Sequence, residues 1–216
     1  MKRVFVLIRI LFVILLIGVS AVAWGQEDFA TWTKFKVSHK IDSRFGVYGD
    51  LEFRTKNNMS SIDRWGLVLG GEYQANSFLK LQAGYETHYR NLGDSEWKFR
   101  HRYHLGATAT FRYQWLKIAL RERFQQTFDR GETETRLRSR LKLSYVPTKG
   151  IVSPYFSVEV YQSLDDAPFW RADRTRYRPG VEIDLGKRWS LDVFYCYQHT
   201  SRKSTHVAGL EVGYSF

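Results

Sequence analysis

The chain has 216 residues, with 33 Lys and Arg against 22 Asp and Glu, which gives a formal net charge of +11. A single Cys excludes a disulfide framework and a Cys-rich zinc site, and 44% hydrophobic beside 25% charged residues excludes a disordered tail. The negative mean hydropathy does not exclude a membrane protein, because a transmembrane β-barrel turns its polar residues towards its lumen.

The start of the chain has the pattern of a cleaved secretory signal. A basic start leads into a stretch without charge over 10–24, and Ala21 and Ala23 supply the small residues of a cleavage site. The whole apolar stretch is also about long enough to span a bilayer as an uncleaved anchor, although one arginine interrupts it. We expect a signal peptide over 1–25 and a mature domain over 26–216, and export disfavours nucleic acid as a partner.

The mature chain alternates between apolar and polar residues with a period of two, which is typical of strands with two different faces. Segments of about 10–15 residues exceed an ordinary strand and match the length that crosses a bilayer at a tilt. Turn residues separate them. In chain order the segments are 30–41, 45–54, 62–74, 79–90, 97–111, 115–128, 136–145, 154–162, 173–185, 189–199 and 206–216.

Alternation alone does not distinguish a soluble barrel from a membrane barrel. Charged residues crowd one face of the predicted strands, and aromatic residues recur on the other. Two sets of aromatic residues lie near opposite segment ends, as in the interfacial girdles of membrane barrels, although strands favour aromatic residues in general. The sets are Tyr89, Trp97 and Phe128 at one end and Phe111, Trp115 and Trp189 at the other.

The last residues carry a more specific pattern. Apolar residues occupy every second position from Ala208 to the terminal Phe216, with an aromatic residue at Tyr214. This pattern resembles the C-terminal signal for membrane insertion of bacterial outer-membrane barrels. Together with export it predicts an all-β fold, a transmembrane antiparallel up-and-down β-barrel in the bacterial outer membrane. A sheet in lipid must close on itself, because every backbone polar group there needs a partner.

Single-chain bacterial barrels usually have an even number of strands, and this expectation conflicts with the eleven predicted segments. If Phe216 ends at the periplasm, segment 30–41 runs inward and has no outward partner before it. The sequence therefore predicts ten strands, with 30–41 outside the wall, or twelve strands as the second choice.

Four short runs resemble one family of barrels. Their order and spacing over about 30–216 are similar to those of the uncharacterised outer-membrane barrels grouped as domain of unknown function 2490. The resemblance implies an outer-membrane β-barrel and no established activity. The runs are Arg100-His101-Arg102-Tyr103, Arg136-x-Arg138-x-Arg140-Leu141-Lys142-Leu143, Pro154-Tyr155-x-x-x-Glu159 and Trp189-x-Leu191-Asp192-x-Phe194-Tyr195-x-Tyr197-Gln198.

If the apolar rows face lipid, the charged rows face the lumen. One interpretation is a structural barrel whose lumen is filled by Arg–carboxylate networks or leaves a narrow solute path. The alternative is an anion-favouring pore for small solutes, since a ring of Arg selects anions. The predicted lumen-facing charges are Arg100, Arg102, Arg121, Arg123, Arg136, Arg138, Arg140, Arg174, Arg176, Arg178, Glu52, Glu72, Glu86, Glu159, Glu182, Asp184 and Asp192.

A third interpretation is a lipid-modifying hydrolase. His199, Ser201 and Glu211 resemble the arrangement of lipid A deacylases, in which a Ser is activated by a His. The residue after Ser201 departs from that family, and the spacing to Glu211 is short. We expect no enzyme and no cofactor. We also expect no metal site, because His101 and His104 fall on opposite faces of one strand.

The expected partners follow from this location. They are outer-membrane lipid including lipopolysaccharide, the barrel-assembly machinery and, for a pore, small anionic solutes. Basic residues near the predicted outward loops fit either lipopolysaccharide phosphates or a solvated surface. They are Lys56, Arg130, Arg171, Arg202 and Lys203.

Overall fold

A computed structural model describes residues 27–93, 96–129, 131–148, 150–165 and 171–216. The predicted signal peptide lies outside the described residues, as does Arg130. Within the described ranges no helix is long and apolar enough to cross a membrane.

The prediction of an all-β, closed up-and-down barrel is confirmed. Every predicted segment overlaps a strand, because the two-residue period is the local signature of a strand whose faces meet different surroundings. The strands in the described chain are β1 (Asp28–Lys40), β2 (Phe45–Lys56), β3 (Ser61–Gln74), β4 (Leu79–Gly93), β5 (Glu96–Tyr113), β6 (Leu116–Asp129), β7 (Glu132–Tyr145), β8 (Val152–Ser163), β9 (Ala172–Asp184), β10 (Trp189–Thr200) and β11 (Ser204–Ser215).

The predicted count of ten strands, or alternatively twelve, is wrong, since the described chain forms eleven. β1 belongs to the wall and pairs in parallel with β11, from Asp28 opposite Thr205 to Ser38 opposite Ser215. An odd count makes the first and last strands run in the same direction. A parallel ladder still pairs their backbone groups, so the barrel closes without an even number.

The parallel pair gives the barrel two distinguishable ends. Phe216 lies at the C-terminal end, together with the turns after β1, β3, β5, β7 and β9. The N-terminal end is the opposite one, where β1 and β11 both begin. Each strand therefore starts at one end and finishes at the other, which fixes the depth of every inward side chain.

The outer face of the barrel is apolar. Of the six predicted girdle residues, five are exposed large side chains, and Trp97 is half-buried with its ring stacked 4.9 Å from that of Tyr89. A soluble barrel would show the reverse arrangement, with its charges outside. Exposed leucines cover the belt between the two ends: Leu51, Leu67, Leu69, Leu105, Leu120 and Leu141.

Some aromatic rings turn inward and lie over glycines of the neighbouring strand. The Phe194 ring occupies the space that a Cβ on Gly209 would need, and these residues are opposite each other on β10 and β11. Gly71 is different, because its nearest neighbour would lie 3.8 Å from an added Cβ.

Gly209→Ala is therefore expected to lower the free energy of unfolding by about 1–3 kcal/mol through overpacking. Gly71→Ala is the matched control and should have little effect. The measurement is urea unfolding of the refolded barrel in detergent micelles. Phe194→Leu should restore part of the loss in the Gly209→Ala background, and equal losses for both alanine variants would contradict this account.

Candidate functional site

The lumen contains a cavity of about 520 Å³, and all eleven strands contribute to its wall. Among the described residues, sixteen Lys and Arg side chains line it against seven Asp and Glu, an excess of nine positive charges. The positive charge of the sequence is thus concentrated inside the barrel, where a solute would meet it.

Fourteen of the seventeen lumen charges predicted from the sequence line this cavity. The other three lie near strand ends. Arg100 pairs with Asp129 at 2.5 Å, Glu72 pairs with Lys80 at 2.9 Å, and Asp184 accepts a hydrogen bond from a backbone N–H of its own turn at 3.1 Å. Local alternation predicts that a side chain faces the lumen. Whether it reaches the cavity depends on its position along the barrel axis.

The set predicted from the sequence omits seven of the cations that line the cavity: Lys34, Lys36, Arg54, Arg64, Lys80, Lys117 and Lys142. Lys34 and Lys36 line the cavity from β1, the strand that the even-number argument had excluded. Arg54 and Arg64 lie opposite each other at the last regular pair before a β-bulge, in phase with Glu52 on β2 and Glu72 on β3. Strict alternation through 30–41 is the sequence signal that places Lys34 and Lys36 on the lumen face.

Glu159 is the carboxylate that most cations share. Arg121 Nη2 lies 2.5 Å from Glu159 Oε1, and Arg138 Nη2 donates to both carboxylate oxygens at 3.0 and 3.1 Å. Arg176 Nη1 lies 3.6 Å away, and the Tyr161 hydroxyl donates at 3.0 Å. One acid on β8 thus joins arginines from β6, β7 and β9.

Glu86 forms a second network on the other side of the lumen. Its carboxylate lies 3.1 Å from His88 Nε2, 2.9 Å from His104 Nδ1 and 3.2 Å from Arg102 Nη1. His104 Nε2 is 3.0 Å from the Tyr48 hydroxyl. This network connects β5 to β2 across the two strands between them, and it narrows the lumen.

The arginines of β6 and β7 exceed the acids near them. Arg121 lies directly opposite Arg140, and Arg123 lies directly opposite Arg138; like charges in such positions repel each other. Arg140 makes no ion pair with the described residues. The buried Nε atoms of Arg121, Arg123 and Arg140 have no hydrogen-bond partner there either. This block of the wall therefore carries positive charge that the protein leaves unmatched.

At the C-terminal end lies the part of the cavity that we call the vestibule. It is lined by Lys36, Lys80, Thr110, Lys117 and Ser144. Lys117 is exposed, and the Lys80 side chain is 35% exposed. Solvent therefore reaches the cavity from this end.

Towards the N-terminal end an aromatic layer narrows the cavity. The Trp32 ring lies between Arg54 and Arg176, whose guanidinium carbons are 3.9 and 4.6 Å from its centroid. The Tyr161 ring contacts Arg174 at 5.1 Å and Arg176 at 4.7 Å. Arg54 is only 13% exposed. Cation–π contacts of this kind hold the side chains across the lumen.

The structure does not bring the three candidate hydrolase residues together. His199 Nδ1 lies 3.0 Å from the hydroxyl of Ser204, while Ser201 lies exposed in the turn after β10. Glu211 faces the lumen, where Arg178 Nη2 donates to it at 3.0 Å. Among the described residues no group of three or more His, Cys, Asp or Glu is placed to hold a metal ion.

The predicted membrane-insertion signal and the predicted basic loop residues lie at opposite ends of the barrel. Phe216 is exposed at the C-terminal end, and its ring is 5.0 Å from that of Tyr214. Of the basic loop residues, Lys203 pairs with Asp28 at 2.8 Å and Lys56 donates to a backbone carbonyl at 2.6 Å, both at the N-terminal end.

A protein family of unknown function (DUF2490) matches residues 29–208. The chain belongs to the DUF2490 family. The resemblance seen in the sequence motifs is thus confirmed. This DUF2490 barrel is also similar in structure to the translocator domain of the autotransporter NalP from Neisseria meningitidis, with a TM-score of 0.54 and 17% identity over 83% of this chain and 77% of that chain. Likeness at this identity concerns the fold. No curated protein matches the chain significantly.

Proposed function

We propose that this DUF2490 protein is an outer-membrane barrel with a narrow lumen path that favours small anions. The observation that carries the proposal is the excess of nine positive charges along one continuous cavity. Charged groups that line a pore select ions of the opposite sign.

The contrast between the two faces of the barrel wall supports a location in the outer membrane. Exposed leucines and aromatic rings outside, with charges inside, suit a barrel surrounded by lipid. The outward Tyr214 and Phe216 at the C-terminal end are the residues that the barrel-assembly machinery would recognise, with that end in the periplasm. The vestibule then opens to the periplasm, and the aromatic layer lies nearer the outer leaflet and its lipopolysaccharide.

The size of the cavity limits the solute. Its volume of about 520 Å³ corresponds to about 17 water molecules. The lining on β7 runs from Arg136 to Ser144, which is about 26 Å along the strand. A lumen of this volume, divided over such a length, suits small ions.

The proposal predicts a small, anion-favouring conductance. Refolded 26–216 in a planar bilayer under a potassium chloride gradient should show a reversal potential that favours chloride. Lys117→Gln should reduce this preference, because Lys117 lines the vestibule. Lys187→Gln is the control, since Lys187 lies exposed in the turn after β9 at the same end. A preference for cations, or no current at all, refutes the path.

A further inference from the structure

We infer that the lumen contains a binding site for one small phosphate-like oxyanion, formed by Arg140 with Arg121, Ser144 and Ser157. The inference rests on the proposed function, because the oxyanion enters through the vestibule. It adds a defined ligand class and a defined position to what is otherwise a general preference for negative charge.

The first argument is the isolation of Arg140. It lies directly opposite Glu159 in the β7–β8 register, yet Arg121 and Arg138 form the close ion pairs with that carboxylate. Arg140 forms none with the described residues, and its buried Nε has no partner. A buried charge without a counter-charge is costly, so an anion from solvent would stabilise this position.

The second argument is the space beside it. On the vestibule side of Arg140 the inward residues are Lys142, whose amine turns to Glu182, and the small residues Ala119, Ser144 and Ser157. Both serines are buried, and both line the cavity. Diagonal neighbours in a sheet are about 7–8 Å apart, which a long side chain spans. Ser157 is such a neighbour of Arg140, and Ser144 is in turn diagonal to Ser157. Both hydroxyls therefore line the part of the cavity on the vestibule side of Arg140.

The third argument is that the neighbouring cations of the vestibule side are occupied. Lys142 pairs with Glu182 at 2.5 Å. Arg178 pairs with Asp192 at 2.6 Å and with Glu211 at 3.0 Å. Their charges are matched locally, so these two cations do not compete for an anion with Arg140, which forms no ion pair with the described residues.

The donor set favours an oxyanion over chloride. The guanidinium group of arginine presents parallel N–H donors that match two oxygens of a phosphate. The serine hydroxyls add donors from a second direction, and a tetrahedral ion accepts from both directions. A doubly charged ion also uses the positive excess of the Arg121–Arg140 pair.

The test measures binding rather than current. Inorganic phosphate is titrated calorimetrically into refolded 26–216 in a detergent that contains no phosphate group, so lipid headgroups are absent. We expect saturable binding of one phosphate per chain, with sulfate as a competitor. Arg140→Gln should raise the Kd about tenfold or more, the loss expected for charge-assisted hydrogen bonds.

Two further variants make the result specific. Ser144→Ala combined with Ser157→Ala removes the hydroxyl donors without altering any charge, and it should also weaken binding. Arg188→Gln removes one positive charge from the exposed turn after β9 and should leave the Kd unchanged. Heat-modifiable migration on gels confirms that each variant folds, and Arg140→Gln should fold because it breaks no described ion pair.

Each outcome has one meaning. Absence of saturable phosphate binding in the wild type, or equal weakening by Arg140→Gln and Arg188→Gln, overturns the site. Phosphate binding in a barrel that carries no current supports the site and refutes the path. An anion-favouring current without phosphate binding supports the path and refutes the site.

Discussion

Glu159→Gln is expected to lower the free energy of unfolding of the barrel by about 3–5 kcal/mol, the range for breaking a buried ion pair. Glu159 compensates Arg121 and Arg138 directly and lies 3.6 Å from Arg176. Glutamine keeps the shape and loses the charge, so arginines from three strands would repel each other in the lumen. Urea unfolding in detergent micelles, followed by tryptophan fluorescence, measures the loss.

The control for Glu159 is Glu182→Gln. The Glu182 side chain is 45% exposed and pairs with Lys142 alone, so solvent replaces most of that interaction and the loss should be about 1 kcal/mol or less. Adding Arg138→Gln to Glu159→Gln should recover part of the stability, because it removes one of the unmatched charges. Similar losses for the two single variants would show that Glu159 does not organise the wall.

Trp32→Ala is expected to increase the single-channel conductance several-fold. The indole lies in the lumen between Arg54 and Arg176, so its removal widens the path at this depth and frees both guanidinium groups. The anion preference should stay or rise, because no positive charge is lost. The measurement is the planar-bilayer recording used for the wild type.

Trp65→Ala is the matched control for Trp32→Ala. Trp65 is 52% exposed on the outer face, so its removal should leave the conductance unchanged. An unaltered conductance in Trp32→Ala would mean that the aromatic layer does not limit the current, and the Glu86 network would become the next candidate for the constriction.

Much of the wall follows from local pattern. Strict alternation in Arg136, Arg138 and Arg140 predicts one face for all three, and the structure places all three on the cavity. This works because successive side chains of a strand point to opposite sides whatever the strand pairs with. The same alternation places Arg54 in phase with Glu52 on β2, and both line the cavity.

The candidate site depends on contacts that no local pattern contains. Arg121 and Glu159 are 38 residues apart, and Tyr48 and His104 are 56 apart. The sequence shows many arginines on one face, but it does not show that Glu159 pairs with Arg121 and Arg138 rather than Arg140. That choice depends on side-chain positions across three neighbouring strands.

By itself, the sequence determined that the chain forms strands, which face of each is charged, and therefore which residues can meet a solute. Tertiary structure alone decided that β1 closes the barrel in parallel with β11, that the described chain forms eleven strands, and that Arg140 forms no ion pair with the described residues. The physical reason is the range of the interactions. Alternation is set between adjacent residues, whereas closure and charge pairing are set between strands far apart in the chain.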